Sequence, residues 1–110
     1  MKAIKQKIEY LTHLDFHEQI RLIISDDVEL LKKYVSYSAF DRDAERVLVK
    51  VGNVDMINVY ITEFGFSEEA EIEFAKCADY ELIARYSAEY GFLRKASEEL
   101  NKRKEKGIVA

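Results

Sequence analysis

Shifted by 26 residues, this sequence falls on itself three times. Asp27-Val28-Glu29-Leu30-Leu31 aligns with Asn53-Val54-Asp55-Met56-Ile57, and that with Asp79-Tyr80-Glu81-Leu82-Ile83. Further columns hold Tyr34, Tyr60 and Tyr86; Phe40, Phe66 and Phe92; Ala44, Ala70 and Ala96; and Leu48, Phe74 and Leu100. The first segment follows more loosely, through Ile4, Ile8, Leu14, Asp15 and Leu22. A fixed period is the mark of a repeat architecture, in which one small unit is stacked on copies of itself. The register divides the chain into a single domain over residues 1–104, with units 1–26, 27–52, 53–78 and 79–104, and a C-terminal tail at 105–110.

Each unit reads as two short helices. Asp27, Asn53 and Asp79 stand where a side-chain oxygen can accept from the free amides of a first turn. An acid follows two positions on (Glu29, Asp55, Glu81), at the positive end of the helix dipole. Leu30, Leu31, Tyr34 and Val35 then make one apolar stripe, as do Met56, Ile57, Tyr60 and Ile61. Gly65 and Gly91 share a column where a left-handed residue closes a helix, whereas His13 and Ala39 predict different turns in the first two units. Second helices are expected to start at caps Asp15, Asp41 and Ser67, with Leu93 predicting a weaker start in the fourth unit. A small residue followed by a large one at i+4 (Ala44 and Leu48, Ala70 and Phe74, Ala96 and Leu100) suits close packing between helices. The absence of proline suits uninterrupted helices. Helices of roughly ten residues are marginal alone, so neighbouring units must supply the stability. The expectation is an all-α fold, a short right-handed α-solenoid of four two-helix units. The alternative is a simple helical bundle.

Paired antiparallel helices in tandem resemble the armadillo and HEAT class of α-solenoids, in a compact form. That resemblance implies a scaffold with an extended recognition surface, and implies no chemistry. Residues 94–106 are strongly charged, as an end unit with no covering neighbour should be, and Lys2, Lys5 and Lys7 play that part at the other end. The expectation at both ends is of a complete small protein.

Charge and composition narrow the function. Net charge is −4, which speaks against nucleic acid as a partner. The charged N-terminus does not read as a signal peptide, and no uncharged run approaches the ~20 residues that span a bilayer. The single cysteine, Cys77, excludes an internal disulfide and fits a reducing cytoplasm. Its place near the end of a second helix predicts an unreactive, partly buried thiol. His13 and His17 are four apart, but a turn is expected between them, so no metal site is assigned. No phosphate loop, zinc motif or nucleophile elbow occurs, and no cofactor is expected.

The function expected is therefore that of a non-enzymatic protein-interaction module. The alternatives are a helical repeat that binds nucleic acid and a self-assembling element that forms homodimers. Tyrosines 34, 60 and 86 lie on the apolar stripe and read as core, whereas Tyr37, Tyr80 and Tyr90 fall outside that column and are candidates for contact. The third unit carries six acids (Asp55, Glu63, Glu68, Glu69, Glu71, Glu73) against the single base Lys76. Tyr37, Glu63, Glu69 and Glu73 are thus the expected partner-binding residues, facing a partner with a basic surface.

Overall fold

The caps that open the odd-numbered helices form as their residue types dictate. Asp27 accepts from the Leu30 amide at 3.1 Å, Asn53 from Met56 at 2.8 Å and Asp79 from Leu82 at 2.9 Å. A computed structural model describes the backbone of residues 2–109 and the side chains of residues 2–105. Among them are eight helices and no strand: α1 (Lys2–Glu9), α2 (Phe16–Ile24), α3 (Val28–Val35), α4 (Arg42–Val51), α5 (Val54–Glu63), α6 (Glu68–Cys77), α7 (Tyr80–Glu89) and α8 (Arg94–Val109). The fold is all-α. Residues 105–109, set apart as a tail by the register, continue α8, and Ala110 lies outside the described residues.

The helices pack in two rows. In one, α1 lies against α3, α3 against α5 and α5 against α7; in the other, α2 lies against α4, α4 against α6 and α6 against α8. The molecule measures 48 × 23 × 20 Å, long in one direction. Its core runs between the rows. Leu30, Met56 and Leu82 are all buried, as are Ala44, Ala70 and Ala96 from the facing row. Tyr34, Tyr60 and Tyr86 are among the largest side chains fully removed from water.

The turns depart from expectation in two places. Gly91 is left-handed (φ +72°), but Gly65 is not. A methyl group on Gly65 would meet the Tyr90 ring at 3.3 Å, so its smallness makes room for an aromatic ring rather than for a strained backbone. In the first turn the left-handed residue is Leu11 (φ 57°), two positions before the glycine column. The caps of the second helices also differ. Asp15 forms a full capping box with Glu18, but the side chains of Asp41 and Ser67 make no capping bond. Their backbone amides are held from elsewhere.

Candidate functional site

What holds those amides is a set of buried polar side chains on the even-numbered helices. Gln19, Glu45 and Glu71 occupy one column of the 26-residue register, and all three are buried. Gln19 Oε1 accepts from the Asp41 amide at 2.8 Å, Glu45 Oε1 from Ser67 at 2.9 Å, and Glu71 Oε1 from Leu93. Each therefore caps the second helix of the next segment, and Leu93 loses nothing here by lacking a polar side chain.

The other carboxylate oxygen takes a tyrosine. Tyr60 donates its hydroxyl to Glu45, and Tyr86 donates to Glu71 at 2.7 Å. Each phenol oxygen accepts in turn from the amide of a buried turn residue: Phe40 to Tyr60 at 3.3 Å and Phe66 to Tyr86 at 3.1 Å. Burial of a carboxylate or phenol is tolerable because every partner is present. The rings add a second continuity. Tyr34, Phe40, Tyr60, Phe66 and Tyr86 follow one another with centroids 5.2–5.6 Å apart. Aromatic pairs at this spacing contribute about 0.5–1.5 kcal/mol each beyond their buried area. The column read as core is core, and the hydroxyls of Tyr60 and Tyr86 end on buried carboxylates.

Burial and the neighbouring carboxylate push the phenols of Tyr60 and Tyr86 well above their ordinary value of 10.0. Below pH 10 both are neutral, folded or unfolded, and their contribution to stability is complete. Above it the unfolded chain releases these protons while the folded chain holds them, so stability falls as pH rises. Each phenol contributes up to about a tenfold change in the unfolding constant per pH unit. Thermal melts should therefore lose stability steeply above pH 10, and Tyr60→Phe or Tyr86→Phe should flatten that slope. Melting temperatures that ignore alkaline pH would contradict the assignment.

The first junction is built differently. Gln19 sends its amide nitrogen to the Leu14 carbonyl at 2.9 Å and so cannot take the Tyr34 proton. Tyr34 accepts from the Leu14 amide at 3.3 Å, and its hydroxyl lies 3.2 Å from His13 Nδ1. His13 also lies 2.9 Å from Ser38 Oγ. His17 sits beyond the turn, in α2, with its ring against Phe16. Among the described residues no group of three or more His, Cys, Asp or Glu side chains is placed to hold a metal ion.

The expected partner-binding residues fall into two places. Glu69 and Glu73, on α6, face the basic stripe of α4: Glu69 lies 4.0 Å from Arg42, and Glu73 lies 3.8 Å from Arg46 and 4.0 Å from Lys50. Glu68 meets Lys95 of α8 at 3.5 Å. Glu71, counted with this acidic face, is buried against Tyr86. Tyr37 and Glu63 lie instead at the C-terminal ends of α3 and α5. Tyr37 is half-buried and donates to the Thr12 carbonyl at 2.9 Å. Burial raises the Tyr90 phenol, and the charges of Glu89 and Glu63 raise it further.

Cys77 is exposed rather than partly buried, because it ends its helix at the rim. Desolvation, then the charge of Glu73, raises its thiol, which donates to the Glu73 carbonyl. Tyr80 is half-exposed beneath the Arg103 guanidinium, 4.4 Å from its ring centre. Between α1 and α3 runs an open groove of about 690 Å³ over Ile8 and Leu30, with rims of mixed charge from Lys5, Glu9, Asp27, Glu29 and Lys33. No described helix is long and apolar enough to cross a membrane. No family model, curated protein or solved structure matches this chain.

Proposed function

We propose that the chain is a short α-solenoid of four two-helix units and serves as a non-enzymatic, cytoplasmic protein-interaction module. The observation that supports the solenoid is the recurrence of one clasp at successive junctions. Tyr60 and Ser67 grip Glu45 and Phe40; 26 residues on, Tyr86 and Leu93 grip Glu71 and Phe66. A simple bundle has no need of the same four-point contact at the same spacing.

The surface best suited to a partner is the edge formed by the ends of α3, α5 and α7. Tyr37, Glu63 and Glu89 share one column there, beside the exposed Tyr90. Glu63 and Glu89 are the last residues of their helices, where the dipole disfavours negative charge, and neither last turn contains a base. A lysine- or arginine-rich segment would relieve both. Glu69 and Glu73 have such bases already, from within the chain.

Titration of the isotope-labelled protein with a lysine-rich peptide tests this. At low salt the resonances of Tyr37, Glu63, Glu89 and Tyr90 should move, and a glutamate-rich peptide should leave them unchanged. The double variant Glu63→Lys/Glu89→Lys should abolish the response, and Glu69→Lys/Glu73→Lys should keep it. No response to the basic peptide would overturn this choice of surface.

A further inference from the structure

The irregular first junction brings together groups from three separate elements. His13 lies in the α1–α2 turn, Ser38 in the α3–α4 turn, and Asp41 immediately before α4. Ser38 Oγ is 2.9 Å from His13 Nδ1, and His13 Nε2 is 3.8 Å from Asp41 Oδ1. The Asp41 carboxylate makes no bond to its own helix, so it is free to face the imidazole. Ser38 Oγ also stands 3.3 Å from Tyr34 Oη, which accepts from the Leu14 amide and lies 3.2 Å from His13 Nδ1.

Proton positions follow from donor and acceptor counts. The shortest contact assigns the Ser38 proton to Nδ1. Nε2 faces the Asp41 carboxylate across 3.8 Å, an ion-pair distance rather than a hydrogen bond. In this arrangement the serine hydroxyl has a base on one side and a phenol on the other, with a carboxylate beyond the base. A nucleophilic hydroxyl needs this kind of relay. The site is open, with the His13 side chain 60% and the Asp41 side chain 49% exposed.

We propose that Ser38 is an acyl-acceptor site, reactive toward small activated carboxylic esters. Its oxygen attacks the acyl carbon and forms the Oγ–C bond. The bond to the leaving oxygen breaks and takes its electron pair with it. The Ser38 proton passes to His13 Nδ1 and from there to the departing oxyanion. The Asp41 carboxylate, 3.8 Å from Nε2, favours the imidazolium as it forms. This chemistry is independent of the interaction surface at the ends of α5 and α7.

The test is acetylation of the full chain by p-nitrophenyl acetate, followed by intact mass and peptide mapping. A single acetyl group on Ser38 is expected, lost in Ser38→Ala. His13→Gln should slow its formation by at least about 100-fold, the usual contribution of a positioned base. Asp41→Asn should slow it less, and because Asp41 makes no capping bond this variant should fold as wild type, so its rate can be read even if His13→Gln is unstable. Absence of an adduct on Ser38, or equal rates in wild type and both variants, would overturn the proposal.

Discussion

Glu71→Ala should destabilise the protein by about 3 kcal/mol, a large effect for a residue that reads as one of many helix acids. The substitution leaves two buried donors without an acceptor, the Leu93 amide and the Tyr86 hydroxyl. An unsatisfied buried polar group costs about 1–3 kcal/mol, and the vacated space adds to that. In a domain of this size the change should lower the melting temperature by more than about 10 °C. Glu71→Gln should be milder, about 1 kcal/mol. An amide oxygen can still accept from Leu93, as Gln19 does from Asp41. A double-mutant cycle with Tyr86→Phe isolates the pair and should give a coupling above about 1 kcal/mol. If Glu71→Ala melts with wild type, the buried carboxylate does not carry the junction.

The second large effect belongs to Phe66→Ala. Phe66 lies between Tyr60 and Tyr86, at centroid distances of 5.6 and 5.4 Å, and against Phe74 at 5.1 Å. Truncating a buried phenylalanine costs about 3–5 kcal/mol, and here two further stacked pairs are lost. The turn that carries Phe66 also sends its amide to Tyr86, so a cavity at this point loosens the hydrogen bond as well as the packing. Urea unfolding should show a midpoint well below that of the wild type. The comparison is Phe92→Ala, whose ring is only partly buried, with a tilted contact to Tyr86 and a longer one to Phe74 at 6.3 Å, and whose loss should cost clearly less.

Much of this was readable in the sequence because it is local. The caps at Asp27, Asn53 and Asp79 each depend on residues three apart, and the apolar stripes on one helix period. The clasp is not legible there, because its partners are distant: Glu45 meets Tyr60 fifteen residues on and Ser67 twenty-two on. Alone, Glu45 and Glu71 look like ordinary solvated acids. The signal lies in their column, since Gln19, Glu45 and Glu71 recur at the same period as the tyrosines, and Glu45 and Glu71 sit beside the buried Ala44 and Ala70. The pairing of the third segment's acids is not legible for a related reason. Counting charge by segment cannot register that Arg42 and Arg46 each lie one period and one residue before Glu69 and Glu73. Such exposed pairs contribute at most about 1 kcal/mol, but they occupy the charge that a partner would otherwise meet.

Native-state hydrogen exchange tests the central claim most directly, that buried tyrosines and carboxylates lock the second segment to the third and the third to the fourth. The amides of Phe40, Phe66, Ser67 and Leu93 lie outside the helices, where turn amides ordinarily exchange fast. Bonded to Tyr60, Tyr86, Glu45 and Glu71, they should exchange only through global unfolding, as slowly as the centres of α4 and α6. Exchange of these four amides at the rate of open turns would contradict the account.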